Sequence, residues 1–319
     1  MSAAGTRVAG RQTGLQMLSG QIPLLALVVL IAVSALVSDR FLSLQNISNV
    51  LIQTSIMAVV VIGMTLVIIG GGFDLSVGSV VALSGCIAAY IVRDVDTTLG
   101  IVVGTLVGTA VGVVNGLIVT KLRVNPFIAT LGTMVLVRGV VLLVTDGRPI
   151  YDLPAGFIAI GGGNLFGIHY LIWILAALFA VFHWILHRTP YGVRVFATGG
   201  NREAAFLSGI EVDRVTISTY VWCGTLAGIA GVLLAARLES GNPTTGEFYE
   251  LTAIAAVVLG GASLYGGEGK LYKSMVGVLI MVVLGNSLNI MGVPSYWQRV
   301  AIGVVIVAAA AADRFRRRG

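Results

Sequence analysis

Charge is scarce in this sequence. Of its 319 residues, 11% are Asp, Glu, Lys or Arg and 57% are hydrophobic. A soluble domain carries roughly 25% charged residues, and without them there is too little polar surface to cover the apolar mass. The scarcity excludes a soluble globular protein and points to a polytopic membrane protein. Cysteine is nearly absent. Cys86 and Cys223 both lie in apolar segments, which excludes a disulfide framework, and they read as small core residues. A nucleotide-binding loop is also missing. Gly261–Lys273 comes nearest, but G-x-x-x-x-G-K-[ST] needs Gly at Leu264 and Ser or Thr at Leu271. No Ser/His/Asp, Cys/His or paired-carboxylate set falls on one side of a membrane, so no enzyme activity is expected. His183 and His187 stand at i, i+4, but no third ligand is evident and no metal site is expected.

What the sequence has is apolar runs suited to membrane spans. They lie near Ile22–Val37, Ile47–Ile69, Val77–Val92, Gly100–Thr120, Pro126–Val144, Ile168–Leu186, Val215–Ala236, Leu251–Leu264, Leu271–Ile290 and Tyr296–Ala312. The pattern predicts an all-α fold of about ten transmembrane helices. The third and eighth runs are short and flanked by Gly, as in broken or re-entrant helices. The first run resembles a signal peptide in length, but VSALVSDRF is a poor cleavage region, so a retained anchor is expected.

Lys and Arg set the orientation. With the N-terminus inside, ten crossings place Arg7, Arg11, Lys121, Arg123, Arg188, Arg194, Arg202, Arg214, Lys270, Lys273, Arg314, Arg316, Arg317 and Arg318 in the cytoplasm. Arg40, Arg93, Arg148, Arg237 and Arg299 fall outside, and Arg138 lies within a span. This asymmetry predicts cytoplasmic termini (N-in/C-in). It also explains the net charge of +6 without a nucleic-acid partner.

The whole of 1–319 reads as one transmembrane domain with a cytoplasmic loop at 188–214. Within HRTPYGVRVFATGGNREAAFLSGIEVDR, Gly199–Gly200 is expected to turn the chain. Asn201 can cap a short helix, Arg202 and Glu203 occupy its first turn, and Gly209 can close it. Ala204, Ala205, Phe206, Leu207 and Ile210 give it an apolar surface. So short a helix is marginal alone in water and needs a partner on the soluble side. It reads either as a lever for a soluble motor or as a docked turn between spans.

A weak internal repeat pairs VIIGGGFDLSVGS at Val67–Ser79 with VVLGGASLYGGEG at Val257–Gly269. GLIVTKLRVNPFIATLG at Gly116–Gly132 shares the rhythm of GNSLNIMGVPSYWQRVA at Gly285–Ala301. With ten spans, both glycine breaks face one side, which favours a parallel repeat. Gly71, Gly72, Asp74, Ser76 and Gly78 in the first break, and Gly260, Gly261 and Ser263 in the second, are pathway candidates. Asp74 reads first as a cap on N–H groups near Val77 and second as a substrate contact. Arg138 reads as a snorkelling residue or as one facing a water-filled pathway. Asn125 ends one segment before Pro126 starts the next. The outside stretches Asn242–Glu250 and Gly147–Gly167 read as docking loops or connectors.

Four stretches together carry a family resemblance: GMTLVIIGGGFDLSVGSVVALSG, NPFIATLGTMVLVRG, ATGGNREAAFLSGI and YELTAIAAVVLGGASLYGGEG. In this order they resemble the sugar permeases of bacterial ABC importers of the ribose/xylose/galactose type, over nearly the whole chain. The resemblance implies a multi-pass inner-membrane subunit paired with a second permease subunit, as homodimer or heterodimer. It further implies cytoplasmic ATP-binding cassette subunits, which hold ATP and Mg, and a periplasmic sugar-binding protein. No cofactor is implied on this chain. Gly199–Gly209 would be its ATPase-coupling contact. Phe73 stands where the family more often has Ile, and Lys273 where smaller residues are common, which bears on the sugar. The resemblance implies that sugar passes between paired permease subunits rather than binding tightly, which fits the lack of an evident sugar-binding cluster of carboxylates and amides.

Overall fold

The computed structural model describes residues 21–316. Arg7, Arg11, Arg317 and Arg318, which enter the orientation argument, lie outside the described residues. The expected helical fold is found. In order come α1 (Ile22–Val37), α2 (Leu44–Ile69), α3 (Val77–Asp94), α4 (Thr97–Lys121), α5 (Pro126–Thr145) and α6 (Ala155–Gly162). A hairpin of β1 (Asn164–Leu165) and β2 (Ile168–His169) follows. Then come α7 (Tyr170–Arg188), α8 (Pro190–Gly200), α9 (Arg202–Leu207), α10 (Val212–Leu238), α11 (Tyr249–Leu259), α12 (Leu271–Ile290) and α13 (Ser295–Arg316). Each of the ten apolar runs coincides with one of these helices. Seven helices are long and apolar enough to cross a membrane, and Pro23–Val37, Tyr249–Leu259 and Ser295–Ala308 are shorter apolar helices.

The centre is α2 with α3 and α10 around it. The apolar stretch of α2 is 94% buried and that of α7 only 17%, so α2 is interior while α7 presents its side chains outward. Close approach is built from glycine. On α4, Gly100, Gly104, Gly108, Gly112 and Gly116 recur every fourth residue and form one bare face. A Cβ at Gly108 would overlap the Gly224 carbonyl oxygen of α10, and one at Gly112 that of Tyr220. The backbones of α4 and α10 therefore touch directly, as small-residue stripes allow in a membrane. Thr109 and Thr225 add a hydroxyl contact of 2.8 Å across this seam. Asn46 of α2 and Asn286 of α12 exchange amide hydrogen bonds of 3.0 and 2.8 Å. Ser34 of α1 lies 2.7 Å from Ser287 of α12.

Three sequence expectations need correction. The Gly147–Gly167 stretch is not a bare loop: it contains α6 and β1, because Pro154 starts a helical turn and Phe157 inserts into the core. The third run forms a full helix of 18 residues, and only the eighth stays short, at 11 residues. A helix of 11 residues spans about 16 Å, half of what a bilayer core needs. Gly241 packs on Cys86 and Ala89 in the second half of α3, and Gly246 packs on Gly78 at its start. Residues 241–246 thus run down the side of α3 over roughly 16 Å before α11 begins. Asn242–Glu250 is therefore no simple loop: its first residues lie along α3 ahead of α11.

Candidate functional site

The short helix α9 forms for the local reasons expected. The Asn201 side chain accepts the Ala204 N–H at 2.9 Å, and Glu203 sits in the first turn. Gly209 has φ +81°, which favours glycine. Its N–H reaches Phe206 O at 2.9 Å, and the Ile210 N–H reaches Ala205 O at 3.1 Å. These two bonds make a Schellman closure. Ala205 faces inward, whereas Phe206 is 68% exposed and Leu207 78%. Asp213 of α10 accepts Arg202 at 2.9 Å and Lys121 of α4 at 3.3 Å. Both pairs are exposed and contribute little beyond orientation. Beside α9 a groove of about 950 Å³ is lined by Lys121, Arg123, Asn125, Pro126, Phe206 and Arg214. Asn125 accepts the Phe127 N–H at 3.0 Å, and Pro126 opens α5 as expected.

Gly199–Gly200 does not turn the chain. Both residues end α8, an 11-residue helix opened by Pro190 that the glycine pair concealed in the sequence. The need for glycine is contact. A Cβ at Gly199 would overlap the Ile69 carbonyl oxygen at the end of α2. The same oxygen accepts the Gly267 N–H at 2.8 Å. A Cβ at Gly266 would stand 2.8 Å from Gly71 Cα and from Gly199 O. The end of α8, the end of α2 and the loop after α11 thus meet backbone to backbone.

The two glycine breaks are stereochemical twins. Gly71 and Gly261 both have φ +83°. Gly71 N–H donates to Ile68 O and Gly72 N–H to Val67 O, at 3.0 and 2.9 Å. Gly261 N–H donates to Val258 O and Ala262 N–H to Val257 O, at 2.8 and 3.2 Å. Each is a Schellman closure. Gly72 packs against the Tyr220 hydroxyl, which donates to Phe73 O at 3.0 Å. Gly260 packs against Lys273 and Ser274 at the start of α12. Buried Ser263 accepts the Tyr265 N–H at 3.0 Å.

Asp74 is buried and serves the start of α3. Its Oδ1 accepts the Ser76 N–H at 2.9 Å and the Ser76 hydroxyl at 2.6 Å. Asn115 Nδ2 donates to the Ser76 hydroxyl oxygen at 2.9 Å and to Asp74 at 3.4 Å. Asn115, five residues before Thr120 in an apolar run, escaped notice in the sequence. Asp74→Asn is expected to keep most transport, because its amide oxygen accepts the same donors. Asp74→Leu strands buried donors at about 1–3 kcal/mol each and should lower both the thermal midpoint in detergent and uptake. Equal loss in both variants would show that the negative charge itself is needed.

Arg138 of α5 donates to Pro243 O at 2.6 Å and Thr245 O at 3.1 Å, pinning the irregular stretch before α11. His187 Nε2 accepts the Leu271 N–H at 3.3 Å and stacks near His183 and Phe196. Among the described residues no group of three His, Cys, Asp or Glu could hold a metal. A cavity of about 750 Å³ between α2, α10, α11, α12 and α13 gathers Asn49, Gln53, Asn286, Asn289 and Gln298 together with Arg237, Glu247 and Arg299. These residues come from several distant segments, so no sequence spacing reveals them.

The fold and site define a multi-spanning α-helical membrane protein with a short helix beside the joint of its glycine breaks. Residues 46–310 match the family described as the branched-chain amino acid transport system permease component, and the chain belongs to this permease family. The ribose import permease protein RbsC of Bacillus subtilis (strain 168) is 47% identical over 295 residues, covering 92% of each chain. RbsC of Escherichia coli (strain K12) is 44% identical over 298 residues, 91% of this chain and 92% of that one. The L-arabinose transport system permease protein AraH of Escherichia coli (strain K12) is 38% identical over 296 residues, 92% of this chain and 90% of that one. No solved structure matches. Such permease components are not themselves enzymes.

Proposed function

We propose that this chain is the translocation subunit of an ATP-driven monosaccharide importer in a bacterial inner membrane, with ribose as its first candidate. The relatives named for ribose and arabinose support the sugar. The carrying observation is the joint of Gly199, Ile69, Gly71 and Gly266–Gly267, by which α9 is mounted on both helix breaks. A cytoplasmic ATPase gripping α9 moves both breaks at once through backbone contacts that have no side chains to yield. A periplasmic binding protein delivers sugar at the opposite end, and a second permease subunit completes the complex. ATP and Mg belong to the ATPase. The twin Schellman closures meet at one end of the molecule, which supports a parallel duplication.

The ten apolar helices cross the membrane with both termini inside. Reporter fusions at Gly319 and within Gly147–Gly167 should therefore report opposite sides; the same side for both would contradict the ten-span topology. Substrate class is tested by uptake of labelled ribose into vesicles holding the complete complex. Unlabelled ribose should compete and leucine should not. Competition by leucine alone would make the chain an amino-acid permease.

A further inference from the structure

The β1–β2 hairpin just before α7 has no role so far. Phe166 at its tip is 90% exposed, more than any other large apolar side chain among the described residues. Phe166 and Gly167 have φ +53° and +79°, the signs of a type I′ turn. Asn fills the first of these positions at little cost, whereas a bulky aromatic there is strained. So exposed a ring gains nothing from this chain to offset that strain. Leu165 and Ile168 beside it are exposed as well. The hairpin is nevertheless held in place. Tyr170 N–H donates to Gly163 O at 3.0 Å, and the Trp173 indole N–H donates to Leu165 O at 3.3 Å. A fixed, exposed apolar patch marks a contact surface.

Two observations name what covers it. Trp173 lies one turn into α7, about 5 Å along its axis, and is itself exposed. The hairpin therefore doubles back beside the outward face of a helix able to cross the membrane. The apolar stretch of that helix, only 17% buried, is open to acyl chains. Moreover, no Asp, Glu, Lys or Arg occurs from Leu153 to His187. A protein contact carries a polar rim, whereas uncharged aromatics at the end of a span suit the boundary between headgroups and acyl chains. Trp173, with its N–H bonded and its ring exposed, fits the same boundary. We propose that the hairpin is a lipid-interface anchor, with Phe166 inserted just below the headgroups of the outer leaflet beside α7. The leaflet rests on the ten-span topology; the contact with lipid does not. The anchor fixes the depth of one end of α7, a helix with few partners in its own chain.

The test uses the complete complex in proteoliposomes. Phe166→Cys is labelled with bimane; Cys86 and Cys223 are buried and should stay unlabelled. Phospholipids bearing a nitroxide high on the acyl chain should quench most of the emission, and those with a nitroxide near the chain end should quench less. A water-soluble nitroxide should quench little. Arg148→Cys, exposed ahead of α6, should show the reverse pattern. Quenching at position 166 by the soluble nitroxide alone would put the hairpin in water and overturn the proposal. Quenching by neither would mean that a second copy of this chain or another subunit covers it. Loss of lipid quenching on adding loaded binding protein would make that protein the occupant. Either result would also overturn the anchor. The reporter fusions decide the leaflet independently, so an error in topology and an error in lipid contact are told apart.

Discussion

Gly199→Ala should abolish ATP-driven uptake, and the neighbouring Gly200→Ala should leave it intact. Both substitutions add the same methyl group to the last turn of α8. Both also gain helix propensity of up to about 1 kcal/mol. Their surroundings differ. At Gly199 the new Cβ overlaps the Ile69 carbonyl oxygen and stands 2.7 Å from Gly267 N. These are backbone atoms joined by a hydrogen bond, so no rotamer change relieves the clash. At Gly200 the nearest atom is Gly267 Cα at 3.8 Å, an ordinary contact. Overpacking of this kind costs about 1–3 kcal/mol or more, here at the joint that carries the movement. Uptake and stimulated hydrolysis, measured side by side with the thermal midpoint, read the effect. Indifference of transport to Gly199→Ala would show that the joint transmits nothing.

The second large effect is expected at Phe206. It is exposed on the free chain and is the largest side chain of α9. An aromatic anchor buried by a partner loses about 2 kcal/mol or more on truncation, roughly thirtyfold in association. Phe206→Ala should release the ATPase, or leave it bound with hydrolysis uncoupled from uptake. Membrane insertion should be unchanged, since the side chain packs on nothing in this chain that its removal would leave empty. Gly209→Val should act in the same direction, because a β-branched residue at φ +81° disrupts the closure of α9. Neutralising Arg202 should matter little and only at low salt. Co-purification and paired hydrolysis and uptake assays decide. A Phe206→Ala complex that assembles and couples like the parent would remove α9 from the mechanism.

Much of this was legible in the residues, and the exceptions share a cause. Spans are read from continuous apolar runs, and caps from a few adjacent residues, so α9 with Asn201 and Gly209 emerged whole. The breaks at Gly71 and Gly261 were legible because a Schellman closure needs glycine at one local position. α8 was not, because two glycines read as a turn when only a neighbouring backbone explains them. The α4 stripe of Gly100 to Gly116 was open to reading, since a four-residue period is visible without any structure. The amide cavity was closed to it. Asn49 with Gln53, Asn286 with Asn289, and Gln298 lie in three separate apolar runs, and only the packing of α2 on α12 and of α11 on α13 brings them together. The descent of residues 241–246 along α3 was hidden for the same reason: Pro, Thr and Gly mark irregular backbone but not its depth.

The energy source is the most direct test of the account. Labelled ribose uptake should be followed in vesicles containing this chain, its ATPase and loaded binding protein, with and without a protonophore. The account predicts uptake that persists when the proton gradient is collapsed and ceases when ATP or the ATPase is withheld. Uptake by this chain alone, rising and falling with the proton gradient, would contradict it.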